Sequence, residues 1–316
     1  ISADSKAILI DQPNKNVKVD TNNTPFLLLD DYAKNTPKEV ELSIPLLVKY
    51  LSIPAKNETE KARLLFTWVA THIDYDANGF NSGRLPNHTV QIVLQTKKAV
   101  CEGYSNVLHA MCEEAKLESS IIQGYAKGYA HKRGIKFVRE NHSWNSIKLD
   151  NEWKLFDVTW AASYGEEKNG KLVSIKKFEP FWFAVPAKAF VFTHFPKNAD
   201  QLFLKDSISK LQFEKFPTIN ETFYKLGFKI DDVYDTILKN PKLEIVETFS
   251  NDVTIQIEKA PYTKNLQLTD TLHIKIKSEI IADLVLLSDG KWHTFNKENN
   301  FFTIQFPVVG KTIEIC

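Results

Sequence analysis

Cysteine is scarce in this chain. Three residues, Cys101, Cys112 and Cys316, occur in 316, and no C-x-x-C pair is among them. That number and spacing support neither a disulfide framework nor a cysteine-based zinc site. The 8 histidines include no H-E-x-x-H or H-x-H spacing, so no metal site is expected. Glycine is low as well, at 11 residues, and no Gly-rich phosphate loop or other cofactor motif is present. No apolar run approaches the ~20 residues of a membrane span. An excess of one charge is also missing. With 40 basic and 39 acidic residues the net charge is +1, which gives no electrostatic footprint for nucleic acid or an anionic membrane. The sequence thus predicts no cofactor, no metal, no nucleic-acid partner and no membrane span.

What is present is an ordinary globular composition, 43% hydrophobic and 25% charged. It can fill a core without disulfide or metal staples. The length suggests two domains. Residues 1–25 are polar, with Pro13 and Pro25, and read as an N-terminal arm. Residues 26–240 read as one catalytic-sized unit. Near Pro241 the composition shifts. Alternation then dominates: Val253, Ile255 and Ile257; Leu272, Ile274 and Ile276; Leu284 and Leu286; Phe302, Ile304 and Phe306. Ser288-Asp289-Gly290 is one of the turns between them. This pattern predicts a small Ig-like β-sandwich over 241–316. The chain opens Ile1-Ser2-Ala3-Asp4, without an initiator Met. A processed chain and a trimmed boundary both explain that. Together with the accessory β-domain it suggests an exported bacterial protein, periplasmic or at the cell surface.

Within 26–240, Pro45 sets a short helix or two short pieces in 38–52. Asn57 caps a helix running from about Glu58 to His72, with Ala62, Leu65, Phe66, Val69 and Ile73 on its apolar face. Residues 79–88 read as an exposed loop, and Thr89 to Gln95 as a short helix. A second long helix begins at Cys101, where Tyr104, Val107, Leu108, Met111 and Cys112 recur at helical spacing. Cys112 lies about three turns on and reads as a core thiol. Strands follow at Ser120–Tyr129, His142–Leu149 and Trp153–Thr159, the last two joined by a turn at Asp150-Asn151. Residues 161–177 read as a polar loop. The aromatic run Phe178–Phe195 reads as sheet core, and 197–240 as short helices.

Three fragments carry chemistry: Val100 to Ser105, Asn141 to Asn145, and Phe156 to Trp160. They hold one thiol, one imidazole and one carboxylate, the inventory of a cysteine nucleophile with its base and orienter. A thiol reacts as its thiolate, so an ordinary pKa of about 8.5 must fall. A helix N-terminus at Cys101 and an imidazolium at His142 both act in that direction. The same free N–H groups can hold an oxyanion. A two-residue turn pairs Leu149 with Glu152. Counting outward sets His142 opposite Thr159 and Asp157 opposite Trp144. His142 and Asp157 are then diagonal neighbours on one face, at about 7–8 Å between backbones. A one-residue slip would separate them. The other histidines, His194 included, lack such a pattern and read as surface or packing residues. Trp144 and Tyr104 are candidate substrate-binding residues, and Trp144 and Trp160 read chiefly as walls of the site.

These residues resemble the core of the transglutaminase-like superfamily, and within it the kyphoscoliosis-peptidase-like group. Phe66, Trp68, the stretch His72 to Asp76, and the runs Phe181-Trp182-Phe183 and Thr193-His194-Phe195-Pro196 extend the resemblance over roughly 58–225. It implies Cys101 as nucleophile, His142 as base and Asp157 as orienter. It also implies an α+β, papain-like fold with the cysteine helix packed on an antiparallel sheet. Ser143 and Val158 stand where alanine and proline are common in the family, and neither departure removes a catalytic group. The expected function is thiol acyl transfer on a protein or peptide substrate by a cysteine peptidase or amidase. The alternatives are a transglutaminase, in which an amine resolves the acyl-enzyme, and a non-catalytic protein-binding or scaffold module.

Overall fold

The computed structural model describes residues 26–84, 87–128, 131–248, 255–264, 266, 270–308 and 313–315. The arm at 1–25, Tyr129, Val253 and Cys316 lie outside them. Three helices open the fold: α1 (Leu27–Lys34), α2 (Ile44–Leu51) and α3 (Glu58–His72). Helix α3 starts where the Asn57 side chain accepts from the Glu60 N–H at 2.8 Å, as its capping sequence predicts. Every residue from Ala62 to Ala70 is buried, so α3 is enclosed on all sides. Its Arg63 donates twice to Asp30 of α1, at 2.7 Å each, and Thr67 donates to the same carboxylate. The rings of Phe26 and Phe183 cover the guanidinium. A charge this deep is tolerable because all its partners are in place.

Strand β1 (Asp74–Tyr75) pairs in parallel with β2 (Lys98–Ala99) and returns the chain to a point just before Cys101. Between them lie α4 (Ala77–Ser82) and α5 (Val90–Thr96). Helix α4 occupies part of the expected loop, because Asp76 caps it by accepting from the Gly79 N–H at 2.9 Å. Helix α6 (Cys101–Glu114) then runs into β3 (Ser119–Ala126), β4 (His142–Leu149) and β5 (Glu152–Phe156). Helix α7 (Val158–Ala162) follows, and then the hairpin of β6 (Ser163–Lys168) and β7 (Lys171–Lys176). The hairpin stands where a polar loop was expected. Its turn, Asn169-Gly170, has φ of 54° and 71°, the left-handed pair that a two-residue hairpin needs.

The aromatic run is mostly not sheet. Pro180 and Pro186 start short helical turns, the second being α8 (Ala187–Phe190), and only β8 (His194–Pro196) joins a sheet. That sheet is antiparallel with order β5-β4-β3-β8. Helix α6 packs on it, and α3, α6 and the sheet enclose the main core around Phe66, Trp68, Tyr104, Ile122 and Phe156. A second core forms around Phe192, Phe213, Phe223 and Tyr234, with α9 (Lys210–Lys215), α10 (Glu221–Lys225) and α11 (Ile230–Lys239).

The remaining strands are β9 (Gln256–Lys259), β10 (Thr271–Lys277), β11 (Val285–Ser288), β12 (Lys291–Thr294), β13 (Asn296–Glu298), β14 (Phe301–Pro307) and β15 (Ile313–Ile315). They form a four-stranded sheet, β13-β14-β10-β9, and a three-stranded sheet, β12-β11-β15. Leu272, Ile274, Ile276 and Phe302 of the first meet Leu286 of the second in a third core. The architecture is therefore α+β, a papain-like, transglutaminase-like core with an antiparallel sheet and a C-terminal β-sandwich. Among the described residues no helix is long and apolar enough to cross a membrane.

Candidate active site

Cys101 is the first residue of α6, with extended Val100 as its N-cap, and is half-buried. The first helical N–H groups have no acceptor within the helix. Two contacts fix this helix start against β4. Ser143 donates to Ser105 Oγ at 3.0 Å, and the Asn145 amide donates to the Ser105 carbonyl at 3.0 Å. Ser105 is one turn beyond Cys101, so both bonds hold the thiol beside His142 at the start of β4. Ser143 has a fixed hydrogen-bonding task here.

The turn Asp150-Asn151 has both φ values positive, at 52° and 64°, and it sets Leu149 opposite Glu152 and Asn145 opposite Phe156. This is the register read from the sequence. The strand does not continue to Thr159, however. It ends at Phe156, and Asp157 becomes the N-cap of α7. The cause is Asp157 itself: its Oδ1 accepts from the backbone N–H groups of Thr159 at 2.9 Å and Trp160 at 3.0 Å, which starts a helix. The strand end still brings the carboxylate to His142, whose Nε2 lies 2.7 Å from Asp157 Oδ2.

The Cys101 thiol acts on the same His142 ring, raising its pKa together with Asp157. Burial alone would lower the His142 pKa, but the Asp157 charge, its hydrogen bond and the Cys101 contact outweigh burial and raise it. Asp157 is fully buried, which by itself favours the neutral acid. The charge and hydrogen bond of His142, with a further bond from His194, hold it well below the usual carboxylate range.

His194, read from the sequence as a packing or surface residue, is a member of this cluster. It is buried, and its Nε2 lies 2.9 Å from the same Asp157 Oδ2. Its Nδ1 is 2.8 Å from Thr193 Oγ1. A neutral ring facing a carboxylate through Nε2 must carry its proton there, so Thr193 donates to Nδ1. Burial pushes the His194 pKa down to about 4 despite Asp157, which leaves His194 neutral and His142 the charged member. The sequence hides this partner because β8 is far along the chain. Strand β3 brings the two together: Gly124 pairs with His142 on one side and with Pro196 on the other, and Ala126 pairs with His194.

His142, Asp157 and His194 also offer three donor atoms within 4.8 Å of one another, a set that could hold a metal ion by type. The two nitrogens instead meet one oxygen directly, at 2.7 and 2.9 Å, as hydrogen-bond donors. Binding an ion at about 2.0–2.1 Å would require both to lose that proton and turn from the oxygen.

Trp144 and Tyr104 are both buried, at 1% and 0% exposure. Tyr104 donates its hydroxyl to the Ile73 carbonyl at 2.7 Å, and Trp144 packs on Phe190 and His194. Neither presents a free face to a ligand in this structure. Trp160 is half-buried, with its ring 5.7 Å from His142 and 4.5 Å from His194, and it walls the imidazoles as expected. A groove of about 400 Å³ is lined by Glu102 and Asn106 of α6, Ile121 and Gln123 of β3, Ser143 of β4, and Lys197 just after β8.

Residues 47–158 match the family model of the transglutaminase-like superfamily. The kyphoscoliosis peptidase of Mus musculus is 28% identical over 213 residues, covering 67% of this chain and 31% of that protein. That of Homo sapiens is 27% identical over 234 residues, covering 74% and 34%. The chain thus spans about a third of the length of these curated relatives. Red sea bream transglutaminase aligns in structure with a TM-score of 0.30 and 9% identity, over 92% of this chain and 52% of that one. The matched segment ends one residue past Asp157 and contains Cys101 and His142. Residues 47–158 thus resemble a transglutaminase-like domain, and kyphoscoliosis peptidases are among the proteins this chain is similar to.

Proposed function

We propose that the protein is a cysteine peptidase or amidase in which Cys101, His142 and Asp157 act as nucleophile, general acid–base and orienter. The observation that carries this reading is His142 at 2.7 Å from the fully buried Asp157 carboxylate, with its pKa raised by that carboxylate and by the Cys101 thiol. In the first step the Cys101 sulfur attacks the substrate carbonyl carbon, and the C=O pair moves to oxygen. The N–H groups of Cys101 and Glu102, at the start of α6, would hold that developing charge. His142 delivers its proton to the leaving amine as the C–N bond breaks, giving a thioester. Water then attacks the thioester, His142 takes its proton, and the thiolate leaves. The groove beside Glu102 and Gln123 would take the flanking peptide.

A transglutaminase would run the same first step and use an amine in the second. The hydrolytic reading is favoured by the relatives, two of which are named as peptidases. The test is reactivity at the thiol. Cys101 should be alkylated by iodoacetamide at neutral pH at least tenfold faster than an ordinary exposed thiol, and His142→Ala should remove that advantage. A peptide library should be cleaved by the wild type and not by Cys101→Ala, whose rate should fall roughly 10⁴-fold or more. Amine incorporation in place of cleavage would turn the reading to transamidation. Equal alkylation of Cys101 with and without His142, and no turnover, would leave a binding module instead.

A further inference from the structure

A second concavity, of about 700 Å³, lies on the C-terminal sandwich, apart from Cys101 and its partners. It sits where the chain changes sheets. Strand β12 is an edge of the three-stranded sheet and β13 an edge of the four-stranded sheet, and buried Phe295 turns the chain between them. The concavity lies over this seam. Its lining includes Trp292, His293 and Thr294 from β12, Asn296 from β13, and Thr303 and Gln305 from β14. Trp292 is 63% exposed, whereas Trp68, Trp144 and Trp182 are all at 3% or less. A single exposed ring is ordinary by itself, but this one stands on a concavity whose other exposed side chains are polar. Around it, Thr294, Asn296, Thr303 and Gln305 are all exposed, and Asn296 stands directly opposite Thr303. His293 rests on Phe306, ring centres 4.7 Å apart, and forms a half-buried base for the rim.

The chemistry of this lining is selective. Among the described residues no Asp, Glu, Lys or Arg lines the concavity, so they offer a phosphate, a metal ion or a charged peptide no ion pair there. What it offers is one flat aromatic face and a rim of carboxamides and hydroxyls, each able to donate and accept. A matching ligand has an apolar flat face and a neutral edge rich in hydroxyl groups. A pyranose ring has that form: its axial C–H groups make one face apolar, and its equatorial hydroxyls form a polar rim. Trp serves such half-wet contacts because its ring is apolar and its N–H polar.

We propose that this seam is a carbohydrate-binding site, with Trp292 as the stacking platform and Asn296, Thr303 and Gln305 as the hydroxyl readers. The site stands independently of the thiol chemistry. The test uses the full chain and three insoluble polysaccharides, namely chitin, cellulose and peptidoglycan, with chitotetraose and cellotetraose as soluble probes. Retention on at least one polysaccharide is expected, along with saturable binding of the matching soluble probe. Trp292→Ala should weaken that binding at least tenfold, while Trp292→Tyr retains part of it. Asn296→Ala should weaken it severalfold. These side chains are exposed, so melting temperatures should stay at the wild-type value. Cys101→Ala should bind as the wild type does. Failure to bind any of the five probes overturns the proposal, and so does binding that survives Trp292→Ala or is lost in Cys101→Ala. A dimer in solution that Trp292→Ala dissociates, with no carbohydrate bound, would identify the seam as a contact between copies and overturn it as well.

Discussion

Asp157 accepts four hydrogen bonds while fully buried: two from backbone N–H groups on Oδ1 and two from imidazoles on Oδ2. Such a carboxylate is costly to protonate and costly to lose. Asp157→Asn keeps the size but turns an N–H toward one of its donors. The expected outcome is a roughly 10⁴-fold fall in kcat, as when an orienting carboxylate is lost from a triad, measured on a cleaved peptide. His194 makes a separate prediction through pH. Its folded pKa is lowered to about 4 by burial, against an unfolded value of about 6.5. Below pH 6.5 the unfolded chain takes up a proton that the folded chain refuses. Stability from neutral His194 is therefore full above 6.5 and is lost as pH falls toward 4. His142 works oppositely, because its raised folded pKa gives stability that is full below about 6.5 and lost as pH rises. The depressed Asp157 gives stability that is lost only below about 3.9. Urea unfolding of His194→Gln should thus show a penalty relative to wild type that shrinks by on the order of 2 kcal/mol between pH 7 and pH 4.5. A penalty constant over that range would mean that His194 does not titrate in this way.

Strand β3 is the element that assembles the site, since it carries His142 on one flank and His194 on the other. It can do so only because Gly124 has no side chain. A Cβ there would stand 2.3 Å from the Phe195 carbonyl oxygen and 2.6 Å from Trp144. Gly124→Ala should destabilise by about 1–3 kcal/mol, the usual effect of overpacking, and lower peptide turnover by spreading the imidazoles. Thermal unfolding and kcat measured on the same sample check both effects. The link between β4 and α6 is smaller in scale. Asn145→Ala removes a buried bond to Ser105 and should cost about 1–3 kcal/mol. Elements with local signals were legible in the sequence. Asn57 and the apolar period gave α3 its limits, and Asp150-Asn151 gave β4 and β5 their register. Where one side chain overrides the local pattern, the reading failed. Asp157 turns an apparent strand into a helix start, and Asp76 does the same for an apparent loop. The hairpin β6–β7 had its Asn169-Gly170 signal but polar flanks, so no alternation marked the strands. His194 was illegible for another reason: its partner is set by strand order, which a single sequence does not carry.

At the scale of the whole molecule, the cores are joined by side chains as well as by backbone, since Tyr224 packs on both the first and the second. Leu243, Ile245, Val246 and Tyr262 pack on the second core, and Arg133 donates to the carbonyls of Lys215, Pro241 and Leu243. The chain leading into the sandwich is therefore anchored to the helical part before the sheets begin. A second anchor is the Ile257 N–H of β9, which donates to the Leu226 carbonyl at 2.6 Å. Beside it Gly227 has φ of +105°, and a Cβ there would lie 2.8 Å from the Ile257 carbonyl oxygen. An L side chain at that position meets both backbone strain and a backbone clash. Gly227→Ala should push β9 off the helical part while leaving the α6–β4 contacts untouched. The expected outcome is a chain whose sandwich is released by limited proteolysis about tenfold faster. Cys101 alkylation should remain at the wild-type rate. If alkylation slows in step with proteolysis, the sandwich supports the thiol site directly. If proteolysis is unchanged, the junction is held by Arg133 and the strands around Ile245, and Gly227 serves only its own turn.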